Sequence, residues 1–76
     1  MKAYGYSSKV DIGKGPLPLS EITFWGEPEV LREVAKFIEL MANEIQCNRD
    51  FDQMHLRDAW HKWTEDYPDI IIVKPK

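Results

Sequence analysis

The sequence predicts a single small α+β domain, residues 1–76, of ββαββ order: an antiparallel-rich sheet with one amphipathic helix packed on one face. Three observations carry that prediction. Residues 28–47 repeat apolar side chains at helical spacing, short runs of β-forming residues flank them on both sides, and glycine and proline punctuate the joins.

Lys2-Ala3-Tyr4-Gly5-Tyr6-Ser7 alternates and contains two tyrosines, which predicts a first short strand weakened or bulged at Gly5. From Ser8 to Pro18 the chain predicts a loop, because Gly13, Gly15, Pro16 and Pro18 break any regular pattern. Leu19-Ser20-Glu21-Ile22-Thr23-Phe24-Trp25 predicts the second strand. Ser20, Ile22 and Phe24 would face one way and Glu21, Thr23 and Trp25 the other, and Gly26 ends the run.

The helix follows at about 28–47. Pro28 suits the first helical position, where a missing N–H costs nothing. Glu27, Glu29 and Glu33 lie near the positive end of the helix dipole. Val30, Val34, Phe37, Ile38, Met41 and Ile45 form the apolar stripe, widened by Leu31, Ala35 and Ala42, while Arg32, Lys36, Glu39, Asn43 and Glu44 occupy the other face. Glu33 and Lys36 have the spacing of an ion pair, and Asn48 is a candidate left-handed cap.

Residues 51–63 fit two patterns. Phe51, Met54, Ala59, Trp60 and Trp63 make a helical stripe, whereas Met54 and Leu56 between Gln53, His55 and Arg57 alternate as a strand. The preferred reading is a strand at about 52–57 followed by an irregular or helical turn through Trp60 and Trp63. After Tyr67-Pro68, Asp69 to Val73 predicts the last strand, whose consecutive apolar residues imply cover on both faces.

Composition narrows the function. A chain of 76 residues buries only about 60% of its unfolded surface, so the core is thin. Cys47 is the one cysteine, which rules out an intrachain disulfide or a paired-cysteine metal site and points to a reducing compartment, the cytoplasm. The first ten residues hold no apolar signal-peptide core, and no run approaches the roughly 20 apolar residues of a membrane span. Net charge is −3 and unevenly placed: Lys2, Lys9 and Lys14 face Asp11 in residues 1–19, whereas Asp50, Asp52, Asp58, Glu65, Asp66 and Asp69 outnumber Arg57 and Lys62 in residues 50–69. That balance argues against a nucleic-acid surface. It suits a basic protein partner, or simply a solvated, solubilising face.

No catalytic or cofactor motif stands out. Gly13-Lys14-Gly15 lacks the Gly-Lys-Ser/Thr ending of a phosphate loop and the strand and helix that frame one, so it reads as a flexible connection. His55 and His61, six residues apart, have no tight ligand spacing; a half-buried histidine bonded to backbone is the default, and no metal is assigned. Cys47 lies toward the helix C-terminus, where the dipole disfavours a thiolate. The expectation is therefore a non-enzymatic protein without cofactor. Trp25, Trp60 and Trp63 are many large rings for so small a core; Trp60 and Trp63 either cover the open face of the sheet or anchor a partner.

The order of the motifs resembles the immunity protein 32 family, small bacterial proteins of polymorphic-toxin loci. Leu19-Ser20-Glu21-Ile22-Thr23 leads into Glu27-Pro28-Glu29 and Leu31; Val34-Ala35 and Phe37-Ile38 follow; then come Asp50-Phe51, His55-Leu56 and Asp58, and finally Pro68-Asp69-Ile70-Ile71-Ile72-Val73. The resemblance covers residues 19–75. In one respect the chain departs: Gln53 and Met54 stand where the family pattern has a first histidine and an acid, which leaves His55 alone and implies that a metal or polar pair there is lost.

The resemblance implies a cytoplasmic protein that binds and neutralises a cognate toxin without turnover. Charge and aromatic content then nominate Asp52, Asp58, Glu65 and Asp66 for steering, Trp60 and Trp63 as anchors, and His55 among them as a partner-binding residue. Two rivals stand beside it: a homodimeric structural or regulatory module, and a small metal-dependent enzyme using His55.

Overall fold

A computed structural model describes residues 1–6 and 15–76. In chain order it contains β1 (Tyr4–Gly5), β2 (Leu17–Pro18), α1 (Pro28–Cys47), β3 (Gln53–His55), α2 (Leu56–Ala59) and β4 (Ile71–Val73). The ββαββ order is as the sequence predicts, with a one-turn helix added before the last strand. Its strands form two antiparallel ribbons, β1–β2 and β3–β4, each of two strands. The glycine-lysine stretch at Gly13-Lys14 and most of the predicted loop lie outside the described residues.

The first ribbon corrects two expectations. Residues 17–18, predicted as loop, pair as Tyr4↔Pro18 and Gly5↔Leu17. The Leu19 N–H donates to the Ala3 carbonyl at 2.8 Å. That bond makes Tyr4↔Pro18 a non-hydrogen-bonded pair, so the N–H that Pro18 lacks would have pointed away from β1 in any case. A Cβ on Gly5 would lie 3.1 Å from Leu19 Cδ1, so a larger residue there would make the Leu19 side chain shift by a few tenths of an ångström. Of the predicted strand Leu19–Trp25, in contrast, only Leu19 bonds to the ribbon, and residues 20–25 pair with nothing among the described residues. Beyond Leu19 the chain runs without ladder bonds, and Ile22, Phe24 and Trp25 are all exposed. Alternation supplies strand propensity, but a strand needs a neighbour to be one.

Helix α1 spans the predicted residues. Glu27 is its N-cap with extended backbone, Pro28 occupies the first turn, and the Leu31 N–H donates to the Glu27 carbonyl at 3.0 Å. Its end differs from expectation: Asn48 has φ −120°, not a left-handed angle. The Asn48 side chain accepts from the Asp50 N–H at 3.0 Å while its own N–H donates to the Glu44 carbonyl at 2.9 Å. This side-chain turn ends the helix without a positive φ.

The core lies where α1 meets the second ribbon and the turn after it. Val34, Phe37, Met41 and Leu56 are buried, with Phe51, Met54, Trp60, Trp63, Ile70 and Ile72 packed around them. Phe37 is 5% exposed and Leu56 2%. Ile38, expected in the core, is 41% exposed. Leu31 is exposed too, as are Ala35 and Ala42, while Val30 and Ile45 are half-buried. The cause is geometric: a two-stranded ribbon and one turn cover a narrower strip of helix than the apolar stripe is wide.

β3 and β4 pair as Gln53↔Val73, Met54↔Ile72 and His55↔Ile71. Bonds from Lys74 N–H to the Asp52 carbonyl (2.9 Å) and from Leu56 N–H to the Ile70 carbonyl (2.8 Å) extend the ladder at both ends. The alternation turns Met54 and Ile72 to the core and leaves Ile71 and Val73 exposed. The apolar run at 70–73 is thus covered on one face only.

Candidate functional site

The most organised polar group joins the end of β3 to the approach of β4. The register brings residue 69 opposite residue 57, and Asp69 uses both carboxylate oxygens there. Its Oδ2 is 2.5 Å from His55 Nδ1, and its Oδ1 accepts from the Arg57 backbone N–H at 3.1 Å. Arg57 Nε lies 3.6 Å from Oδ2. Burial alone would raise the Asp69 carboxyl pKa, but the hydrogen bonds from His55 and the Arg57 N–H, with the positive charges of both residues, outweigh it and hold the group below its ordinary value. Asp69 is therefore an acceptor only at neutral pH, so His55 donates through Nδ1–H and its neutral form keeps a lone pair on Nε2.

His55 is half-buried, as expected, but its partner is a carboxylate rather than backbone. That partner, Asp69, lies 14 residues along the chain. Two surface grooves lie elsewhere. One, of about 560 Å³, is lined by Met1–Tyr4 and Pro18–Ile22; the other, of about 490 Å³, lies between α1 and residues 59–62. Neither includes His55 or Asp69 in its wall. Among the described residues, no three His, Cys, Asp or Glu side chains come together as a metal-ligand set. Cys47 is exposed.

The remaining nominated residues are spread over several elements. Trp60 and Trp63 sit half-buried in the turns that follow α2, on the core side of the ribbon, and not over its open face. The Trp60 ring is tilted against Tyr67, with centroids 5.2 Å apart. Trp63 Nε1–H donates to the Pro68 carbonyl at 3.1 Å, so its polar tip is already satisfied inside the chain. Asp52 flanks β3, Asp58 lies in α2, and Glu65 and Asp66 lie in the turn beyond, where the Asp66 N–H donates to Thr64 Oγ1 at 3.3 Å. All four are exposed, and among the described residues none forms an ion pair.

Sequence reasoning did not nominate Asp69 or Arg57. The signal that reveals them is register: an antiparallel pairing of the last strand with residues 53–55 sets Asp69 beside His55 and Arg57. Fold and site together define a small α+β domain with a histidine–aspartate clasp. No family model, curated protein or solved structure matches the chain. Among the described residues no helix is long and apolar enough to cross a membrane.

Proposed function

We propose that the chain is a non-enzymatic binding protein whose partner is a bacterial toxin, blocked by occupation of its surface. The carrying observation is the set of exposed carboxylates, Asp52, Asp58, Glu65 and Asp66, that have no ion-pair partner among the described residues. Asp58, Glu65 and Asp66 belong to the segment that holds Trp60 and Trp63, and Asp52 precedes β3. Unpaired acidic charge steers a basic partner during encounter, and partly buried aromatics held by internal contacts offer rigid area once it has docked. The resemblance of residues 19–75 to the immunity protein 32 family supplies the kind of partner, and the single cysteine, Cys47, suits a reducing, cytoplasmic site of action.

The test is co-purification with the product of an adjacent toxin gene, followed by binding kinetics at several salt concentrations. Association should slow as salt screens the charges. Glu65→Lys with Asp66→Lys should slow it further at low salt. Salt-independent association, unaffected by the charge reversals, would move the interface away from this segment.

A further inference from the structure

The chain exposes 7056 Å² at a mass of 8.9 kDa. A compact monomer of that mass exposes about 4,800 Å². The radius of gyration, 13.4 Å, likewise exceeds the roughly 11.4 Å expected for 76 residues. The excess of roughly 2,000 Å² per chain, or about 4,000 Å² for two copies, is of the size that an obligate dimer interface removes from water.

Part of it lies in the N-terminal arm, residues 1–27, where Tyr4, Tyr6, Leu17 and Leu19 are exposed among the described residues. The substantial contacts between elements join β1 to β2, β3 to β4, α2 to β3 and α1 to α2, and none of these joins β1 or β2 to the body. Within the arm, residues 20–26 alternate as a strand, make no backbone hydrogen bond among the described residues, and expose Ile22, Phe24 and Trp25.

The body presents the matching vacancy. Ile70 and Lys74 bond to β3 through the backbone, which turns the N–H and C=O of Ile71 and Val73 to the outer side of β4. Among the described residues no strand pairs with that edge. Next to the ribbon, α1 leaves Leu31 and Ile38 exposed on its flank. An added strand would satisfy the free backbone groups of the β4 edge.

We propose that the occupant is a second copy of this chain: two copies exchange arms, and residues 20–25 of each extend the other's β3–β4 ribbon along the β4 edge. Charge fits the exchange. The arm's first 19 residues carry Lys2, Lys9 and Lys14 against Asp11, whereas residues 50–69 of the body carry six acids against Arg57 and Lys62. β-Augmentation satisfies backbone groups in trans, and alternate side chains give it specificity. The assembly is a closed two-fold dimer, because each arm and each edge is used once. This inference is independent of the toxin reading, and its test needs no toxin.

The experiment is sedimentation equilibrium of the full chain over a concentration series. The arm variant is Ile22→Glu with Phe24→Glu, both at exposed positions. An edge variant is Val73→Pro, which removes an N–H that does not bond to β3; Val73→Lys serves if the proline perturbs folding. Wild type should be a dimer, and each variant should dissociate at least about tenfold more readily, with unchanged circular dichroism at monomer concentrations. An equimolar mixture of arm and edge variants should regain association, because it retains one intact arm and one intact edge. A monomeric wild type overturns the proposal, as does a dimer that survives both variants. A mixture of folded variants that stays monomeric also overturns it.

Discussion

His55 Nδ1 and Asp69 Oδ2 meet at 2.5 Å across the mouth of the β3–β4 ribbon. The contact closes a 13-residue excursion, residues 56–68, that carries both half-buried tryptophans of the core. Asp69 also accepts from the Arg57 N–H, so one carboxylate fixes the last residue of β3 and the first turn of α2 together. A side chain that ties two elements at their junction stabilises the loop between them by limiting where it can begin and end.

The clasp gives stability a pH dependence of definite sign. The Asp69 pKa is lowered from the ordinary 3.8 in the folded chain. Its contribution is present above that ordinary value and is lost as pH falls through the lower folded-state value. Asp69→Asn should cost about 1.5–3 kcal/mol at neutral pH, the range for hydrogen bonds to a charged group. The gap between variant and wild type should narrow as pH drops below 3.8. Urea unfolding at a series of pH values measures both; a gap that stays constant into acid would remove the carboxylate from the account.

Phe37 and Ile38 are neighbours on α1 with opposite fates. Phe37→Ala should destabilise by about 3–5 kcal/mol, because a buried ring leaves a cavity. Ile38, 41% exposed, should lose only about 1 kcal/mol on truncation to alanine. Equilibrium unfolding decides it, and equal losses would mean that the flank of the helix is covered in solution.

Trp63→Phe keeps most of the ring's area and deletes the bond to the Pro68 carbonyl. The expected loss is about 1 kcal/mol of stability. Trp60 and Tyr67 should couple by about 0.5–1.5 kcal/mol in a double-mutant cycle of Trp60→Leu and Tyr67→Leu. Additive losses in that cycle would show that the tilted pair contributes area alone.

Trp25 is wholly exposed. Trp25→Ala should leave the stability of the monomer within about 0.5 kcal/mol of wild type. It should also remove the most red-shifted, most acrylamide-quenchable part of the tryptophan emission at low protein concentration. An unchanged quenching profile would place this ring in contact with the body.

Periodicity alone determined the helix. Its apolar spacing, Pro28 at the first turn and acidic residues near the start act within a few residues, so no distant contact was needed to place it at Pro28–Cys47. The last strand was legible for the same reason, since β-branched residues and proline constrain the backbone locally. Residues 51–63 fitted both a strand at about 52–57 and a helical stripe, and the fold ends the strand at His55 and starts α2 at Leu56. The long-range decisions were not legible. Leu19–Trp25 has a strand's alternation, yet the strand formed at Leu17–Pro18, because pairing depends on which backbone lies alongside. Ile38 belongs to the apolar stripe, yet stays exposed, because the width of the covering ribbon fixes how much of the stripe is buried. Asp69 is 14 residues from His55, and only the antiparallel register makes them partners. Local sequence specifies elements; which side chains meet is settled by chain pairs distant in sequence, whose pairing depends on tertiary geometry.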